Sequence, residues 1–65
     1  MTGKELLRLL QKHGWKIDRI HGSHHVLKKG NDTITVPVHG NGDIKKGLLQ
    51  SILKQTGLKG GNLDD

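Results

Sequence analysis

The spacing of hydrophobic positions near the start of the chain predicts an amphipathic helix. Leucines at positions 6, 7, 9 and 10 recur at helical intervals, and the residues between and around them are polar. Thr2 and Glu5 have the Thr-x-x-Glu arrangement of a capping box, in which each residue satisfies a free amide of the other. Gly14 follows the last polar residue and favours a left-handed helix end. We therefore expect a helix over residues 2–13.

Three extended segments come next, separated by turn residues. Residues 15–20 alternate loosely between apolar and polar side chains, residues 24–29 form a second run, and residues 33–36 are β-branched and precede Pro37. Glycine and asparagine lie between these runs, as is usual for tight turns. The pattern predicts a three-stranded antiparallel meander.

A second helix is predicted after the glycine-rich loop at residues 40–42. Asp43 is the expected N-cap, apolar residues at 44, 48, 52 and 53 have helical spacing, and Gly57 provides a stop. The resulting order, αβββα, indicates the α+β class, with two helices covering one face of a small sheet. Residues 1–58 are expected to form a single domain, followed by a short flexible tail at residues 59–65.

Alternation along the strands determines which polar side chains share a face. His24 and Lys28 lie on one face of the second segment, and His25 lies on the other. One of the two imidazoles must therefore face the helices and the other the open sheet surface, and alternation alone does not decide which. In the first segment, the same alternation places Ile17 and Arg19 on one side.

Charge and composition narrow the function. The 65-residue chain has 11 Lys and Arg against 6 Asp and Glu, a net charge of +5, with 5 histidines, no cysteine and one aromatic residue. Excess positive charge favours a polyanionic partner, either nucleic acid or an acidic protein. The absence of cysteine excludes disulfides, thiolate zinc sites and cysteine nucleophiles. The scarcity of aromatic side chains, with Trp15 as the single example, argues against a module that stacks single-stranded bases on rings.

No apolar run is long enough for a transmembrane helix, and the first residues do not form a secretory signal. A cytoplasmic protein without a membrane partner is therefore expected.

The histidines are the main candidates for chemistry. An imidazole titrates near neutral pH, so one beside Arg19 and Lys28 could exchange protons with oxygens near a bound phosphate. A purely structural, hydrogen-bonded role is the alternative. No carboxylate or cysteine adjoins the histidines in sequence, and no metal-binding spacing is present, so neither metal nor cofactor is expected.

Four segments, taken together and in order, resemble the HicA toxin family across residues 3–58. They are Gly14-Trp15, Gly22-Ser23-His24-His25, residues 36–40 and residues 46–58. The resemblance implies a fold similar to the double-stranded-RNA-binding domain. It also implies the activity of an mRNA interferase, an endoribonuclease that serves as the toxin of a type II toxin–antitoxin system. The partners implied are mRNA and a HicB-type antitoxin, with a monomeric toxin in a heteromeric complex.

The family's catalytic histidine follows the Gly-Ser pair, which corresponds to His24, with His25 as the competitor. We expect this histidine to act as a general acid or base while the ribose 2′-hydroxyl attacks, a mechanism that needs no metal. The residues expected to hold the RNA phosphates are Arg19, Lys28, Lys45 and Lys46. Two alternatives remain at this point, a non-catalytic RNA-binding module and a domain that only docks to an antitoxin.

Overall fold

The computed structural model describes residues 1–58, in which a helix, three strands and a second helix follow one another. These elements are α1 (Gly3–Lys12), β1 (Lys16–His21), β2 (His24–Lys29), β3 (Asp32–Pro37) and α2 (Lys46–Thr56). The predicted α+β class and αβββα order are confirmed, and they are consistent with a double-stranded-RNA-binding-domain-like fold. The tail predicted at residues 59–65 lies outside the described residues. Within residues 1–58, no helix is long and apolar enough to cross a membrane.

The capping box predicted at the start of α1 is present. The Glu5 amide donates to the Thr2 hydroxyl at 3.1 Å, and the Thr2 amide donates to the Glu5 carboxylate at 2.8 Å. Hydrogen bonding to Thr2 lowers the pKa of Glu5. The Thr2 amide makes the larger contribution and the Thr2 side chain the smaller one. Gly14, just beyond α1, has φ of +96°, a conformation that residues with a Cβ rarely adopt. The predicted helix boundaries are therefore correct to within one residue.

The three described strands form one antiparallel sheet in the order β1-β2-β3. The central strand β2 pairs without interruption with β3, whereas its pairing with β1 contains an irregularity between Ile17 and Arg19. The ladder beside β3 is extended beyond Pro37, because the Val38 amide donates to the Ser23 carbonyl at 2.7 Å.

Both helices pack against the same face of the sheet. The core there contains apolar residues of both helices and of strands β2 and β3, together with three residues outside these elements. Its members are Leu6, Leu7, Leu9, Leu10, Trp15, Leu27, Ile34, Val36, Ile44, Ile52, Leu53 and Leu58. A sheet of this size depends on such cover for its stability. The opposite face is open.

Helix α2 begins later in the chain than predicted, after a longer connection from β3. Asp43 is not the N-cap of α2, because its backbone instead forms an isolated antiparallel bridge with Thr2. The next amide, that of Ile44, donates to the Met1 carbonyl at 2.9 Å. These pairings keep residues 43–44 extended, so α2 begins at Lys46 with Lys45 as its N-cap. Gly57 ends the helix with φ of +76°, as predicted.

Candidate active site on the open sheet face

The cross-strand partners of β2 distinguish the two faces of the sheet. Leu27 pairs with Ile34, and His25 pairs with Val36. The three apolar members of these pairs belong to the core beneath the helices. Directly paired residues project to the same side of a sheet, and neighbours along a strand project to opposite sides. His24 therefore lies on the open face.

The two adjacent histidines occupy different environments. His24 is exposed, whereas His25 is half-buried on the helix side. The Nδ1 atom of His25 is buried and has no hydrogen-bond partner within the described residues. Of the two imidazoles, that of His24 is the one available to a ligand bound on the open face.

Several basic residues share the open face with His24. Its cross-strand partner in β1 is His21, and Lys16 pairs with Lys28 further along the same two strands. These side chains and that of Arg19 are exposed. We refer to this set (Lys16, Arg19, His21, His24 and Lys28) as the basic face. Two of the predicted phosphate-binding residues, Arg19 and Lys28, thus share a surface with the predicted catalytic histidine.

A β-bulge in β1 brings Arg19 to the basic face. Ile17 is paired with Leu27 on the helix side, and the next pairing joins Arg19 to Val26, which leaves Asp18 as the extra residue. An extra residue shifts the alternation of a strand by one position. The expectation that Ile17 and Arg19 share one side was therefore wrong: Ile17 lies on the helix side and Arg19 on the open side.

The carboxylate of Asp18 is bound to two cations of the basic face. Its Oδ2 atom accepts a hydrogen bond from Nη1 of Arg19 at 3.0 Å and lies 4.0 Å from Nζ of Lys28. A phosphate would compete with this carboxylate, because both anions use the same charged donors. Sequence reasoning did not identify Asp18, since no glycine or other local signal marks the bulge.

The other two predicted phosphate-binding residues, Lys45 and Lys46, lie off the sheet at the start of α2, and both are exposed. Lys45 lines a pocket of about 310 Å³, and the residues that also line it include Pro37, His39, Asp43, Ile44 and Leu48. Pro37 is the cross-strand partner of His24 on β3. The pocket therefore begins beside the basic face.

The remaining histidines do not assemble into a metal site. Over residues 1–58, no three His, Asp or Glu side chains are grouped so that they could hold a metal ion. His39 is exposed in the turn that precedes α2, where its carbonyl accepts a hydrogen bond from the Gly42 amide at 2.9 Å.

The open face of this small α+β fold presents an exposed histidine together with several cations. Such a surface is typical of basic domains that bind a polyanion, and the imidazole is a group that can exchange protons with one. The family comparison specifies the class further. Residues 3–58 match the family model described as the HicA toxin of bacterial toxin–antitoxin systems, so the chain belongs to the HicA toxin family. The resemblance is thereby confirmed, and with it the role of a toxin. No curated protein matches the chain.

Proposed function

We propose that this toxin is an mRNA interferase, a metal-independent endoribonuclease that uses His24 as its acid–base group. The observation that carries the proposal is the position of His24: it is exposed on the same open face as Arg19 and Lys28, while His25 is turned toward the helices. A proton-transfer group and phosphate-binding cations on one accessible surface are the requirements for cleaving RNA at a phosphodiester.

The substrate supplies its own nucleophile. The imidazole of His24 takes the proton of a ribose 2′-hydroxyl, and the 2′-oxygen attacks the adjacent phosphorus. The bond from phosphorus to the 5′-oxygen then breaks, and that oxygen takes up a proton. The products are a 2′,3′-cyclic phosphate and a 5′-hydroxyl, so the step is balanced without water. The protein has to align the three reacting atoms and exchange the protons.

His21 is suited to the second proton transfer. It is the cross-strand partner of His24, and both side chains are exposed on the basic face. Paired residues on neighbouring strands have Cβ atoms about 4.5–5.5 Å apart. Two imidazoles at this separation can approach the attacking and the leaving oxygen of one phosphate, one acting as the base and the other as the acid.

Arg19 and Lys28 are proposed to hold the scissile phosphate and to stabilise the charge that develops on it. Charged donors that already face the reacting group are the most effective form of such stabilisation. Both residues must exchange the Asp18 carboxylate for the phosphate when RNA binds. Lys45 and Lys46, at the start of α2, are proposed to contact the backbone of the same strand beyond Pro37.

The partner proposed for the toxin is a HicB-type antitoxin in the cytoplasm, which would bind a monomeric toxin in a heteromeric complex. An acidic antitoxin surface placed over the basic face would cover His24 and exclude RNA. Such an interface would bury His24 and would weaken as the salt concentration rises.

The test of the catalytic proposal is cleavage of a short, end-labelled single-stranded RNA by the purified chain in EDTA. We expect cleavage, with 2′,3′-cyclic phosphate or 3′-phosphate ends, and cleavage slower by about a hundredfold or more from the His24→Ala variant purified in the same way. Products with 3′-hydroxyl ends would indicate attack by water and contradict the mechanism. RNA binding without cleavage would instead support the non-catalytic module, and loss of cleavage in EDTA would contradict metal independence.

A further inference from the structure

The pocket between the end of β3 and the start of α2 combines apolar side chains with polar groups. Pro37, Ile44 and Leu48 provide the apolar part, while His39, Asp43 and Lys45 provide hydrogen-bonding or charged groups. Leu48 is 42% exposed although it is a large aliphatic residue. A volume of about 310 Å³ is at the small end of the range for ligand pockets, which suits a single planar ring system.

We propose that this pocket binds the nucleobase of a nucleotide next to the scissile phosphate and gives the toxin a base preference. This inference rests on the proposed function, because the location of the scissile phosphate is taken from His24. Single-stranded RNA is recognised by bases that leave the stack, pack on side chains and form hydrogen bonds through their edges. The pocket offers both kinds of contact.

The position of the pocket supports a base adjacent to the reaction. Pro37, in its wall, is paired with His24 across the β2–β3 ladder, and paired Cα atoms in an antiparallel sheet are about 4.5–5.5 Å apart. A strand whose phosphate lies at His24 therefore reaches the pocket with its neighbouring nucleotide. Lys45 also lines the pocket and is exposed, so its ammonium group is placed to pair with the phosphate next to this nucleotide.

The acceptor in the pocket indicates which base is preferred. The side chain of Asp43 is 77% exposed, although it also lies 3.5 Å from the Met1 ammonium, so its carboxylate remains accessible. A carboxylate accepts a hydrogen bond from the exocyclic amino group of cytosine. Uracil has a carbonyl at that position, which a carboxylate repels. We therefore expect cytosine to be preferred over uracil.

The experiment compares two ligands and two RNAs that differ only in that group. Cytidine and uridine monophosphates are titrated into the full chain, and the methyl signals of Ile44 and Leu48 are followed by NMR. Cleavage is then compared for two RNAs that differ by one C→U change beside the cleaved bond. We expect the pocket methyls to shift, and C to be favoured over U by roughly five- to tenfold, the lower end for a specific base contact.

Matched variants identify the groups responsible. Asp43→Asn should abolish or reverse the preference, because the amide can donate to the uracil carbonyl, while Asp32→Asn, at an exposed position at the far end of β3, should leave it intact. Leu48→Ala should weaken nucleotide binding severalfold, whereas Ile20→Ala, which truncates another exposed aliphatic side chain, should not.

The outcomes separate this inference from the proposed function. Cytidine monophosphate that binds the pocket of a chain unable to cleave RNA would preserve the nucleobase site and overturn the nuclease. Cleavage with no C/U difference, and with the pocket methyls unmoved, would overturn the nucleobase site and leave the nuclease intact.

Discussion

The two faces of the sheet are built from the same strands and have opposite properties. The covered face presents Leu27, Ile34 and Val36 to the helices, and each is at most 6% exposed. The open face presents the five residues of the basic face, and the buried side chain of Val26 lies between His24 and Lys28 on it. Alternate residues of β2 therefore serve different purposes, since Leu27 packs beneath the helices while His24 and Lys28 meet solvent.

This difference implies that stability and chemistry can be altered separately. Residues of the covered face contribute by removing apolar surface from water, and truncating them leaves cavities. Replacing exposed residues of the open face should change the stability of the protein little, because surface substitutions usually change it by no more than about 0.5 kcal/mol. A variant on one face should therefore affect one measurement and leave the other nearly unchanged.

The largest expected contrast is between the adjacent histidines. His24→Ala should lower the rate of RNA cleavage by about 10²–10⁴-fold, the contribution of one acid–base group, with an unchanged melting temperature. His25→Ala removes a half-buried side chain, so it should lower the melting temperature while the protein that remains folded still cleaves RNA. Initial rates and thermal unfolding, measured on both proteins, check the prediction. A folded His24→Ala protein with the parental rate would contradict it.

The second contrast concerns the covered face. Leu27 is 0% exposed at the centre of the sheet, and Leu27→Ala should lower the free energy of unfolding by about 2–5 kcal/mol. Thr35→Ala, at an exposed position of β3, should change it by no more than about 0.5 kcal/mol. Urea denaturation of both variants provides the measurement. Equal losses would show that the helices do not shield the face as described.

A third, smaller effect is expected where α1 meets the end of β3. A Cβ added at Gly3 would lie 2.5 Å from the Pro37 carbonyl oxygen and 2.9 Å from the Val38 Cα atom. Gly3→Ala should therefore destabilise the fold by about 1–3 kcal/mol, the usual cost of overpacking. Because the obstacle is backbone, local side-chain movement cannot relieve it.

Gly47, in the first turn of α2, is the matched control for Gly3. A Cβ there would meet no described atom within 4 Å. Alanine is favoured over glycine in helices, so Gly47→Ala should stabilise the protein by up to about 1 kcal/mol. A Gly3→Ala protein at least as stable as the parent would exclude the close approach of α1 to β3.

Local patterns were sufficient to predict the elements of this fold. Helical spacing, the capping box at Thr2 and the stop at Gly57 are short-range signals, and each was confirmed. The N-cap prediction at Asp43 failed because its backbone pairs with Thr2, a partner 41 positions away in sequence that local spacing cannot reveal.

The site could be predicted only in part, for a related reason. Alternation established that His24 and His25 lie on opposite faces, but Val26 and Leu27 are both apolar, so it did not indicate which face the helices cover. The pairing of Leu27 with Ile34 decides the question. The bulge at Asp18 has no marker in the sequence, and without it Arg19 would be assigned to the wrong face.

The smallest expected effect tests Asp18 itself, whose carboxylate contacts Arg19 and Lys28. Asp18→Asn should raise RNA affinity by about 1.4- to fivefold, because exposed ion pairs of this kind are worth about 0.2–1 kcal/mol and the phosphate no longer has to displace one. Asp32→Asn, which makes the same change of charge at the far end of β3, controls for long-range electrostatics. Affinity measured across salt concentrations should show a larger gain for Asp18→Asn at each concentration. Equal gains in the two variants would mean that net charge alone matters and that RNA does not contact Arg19 and Lys28.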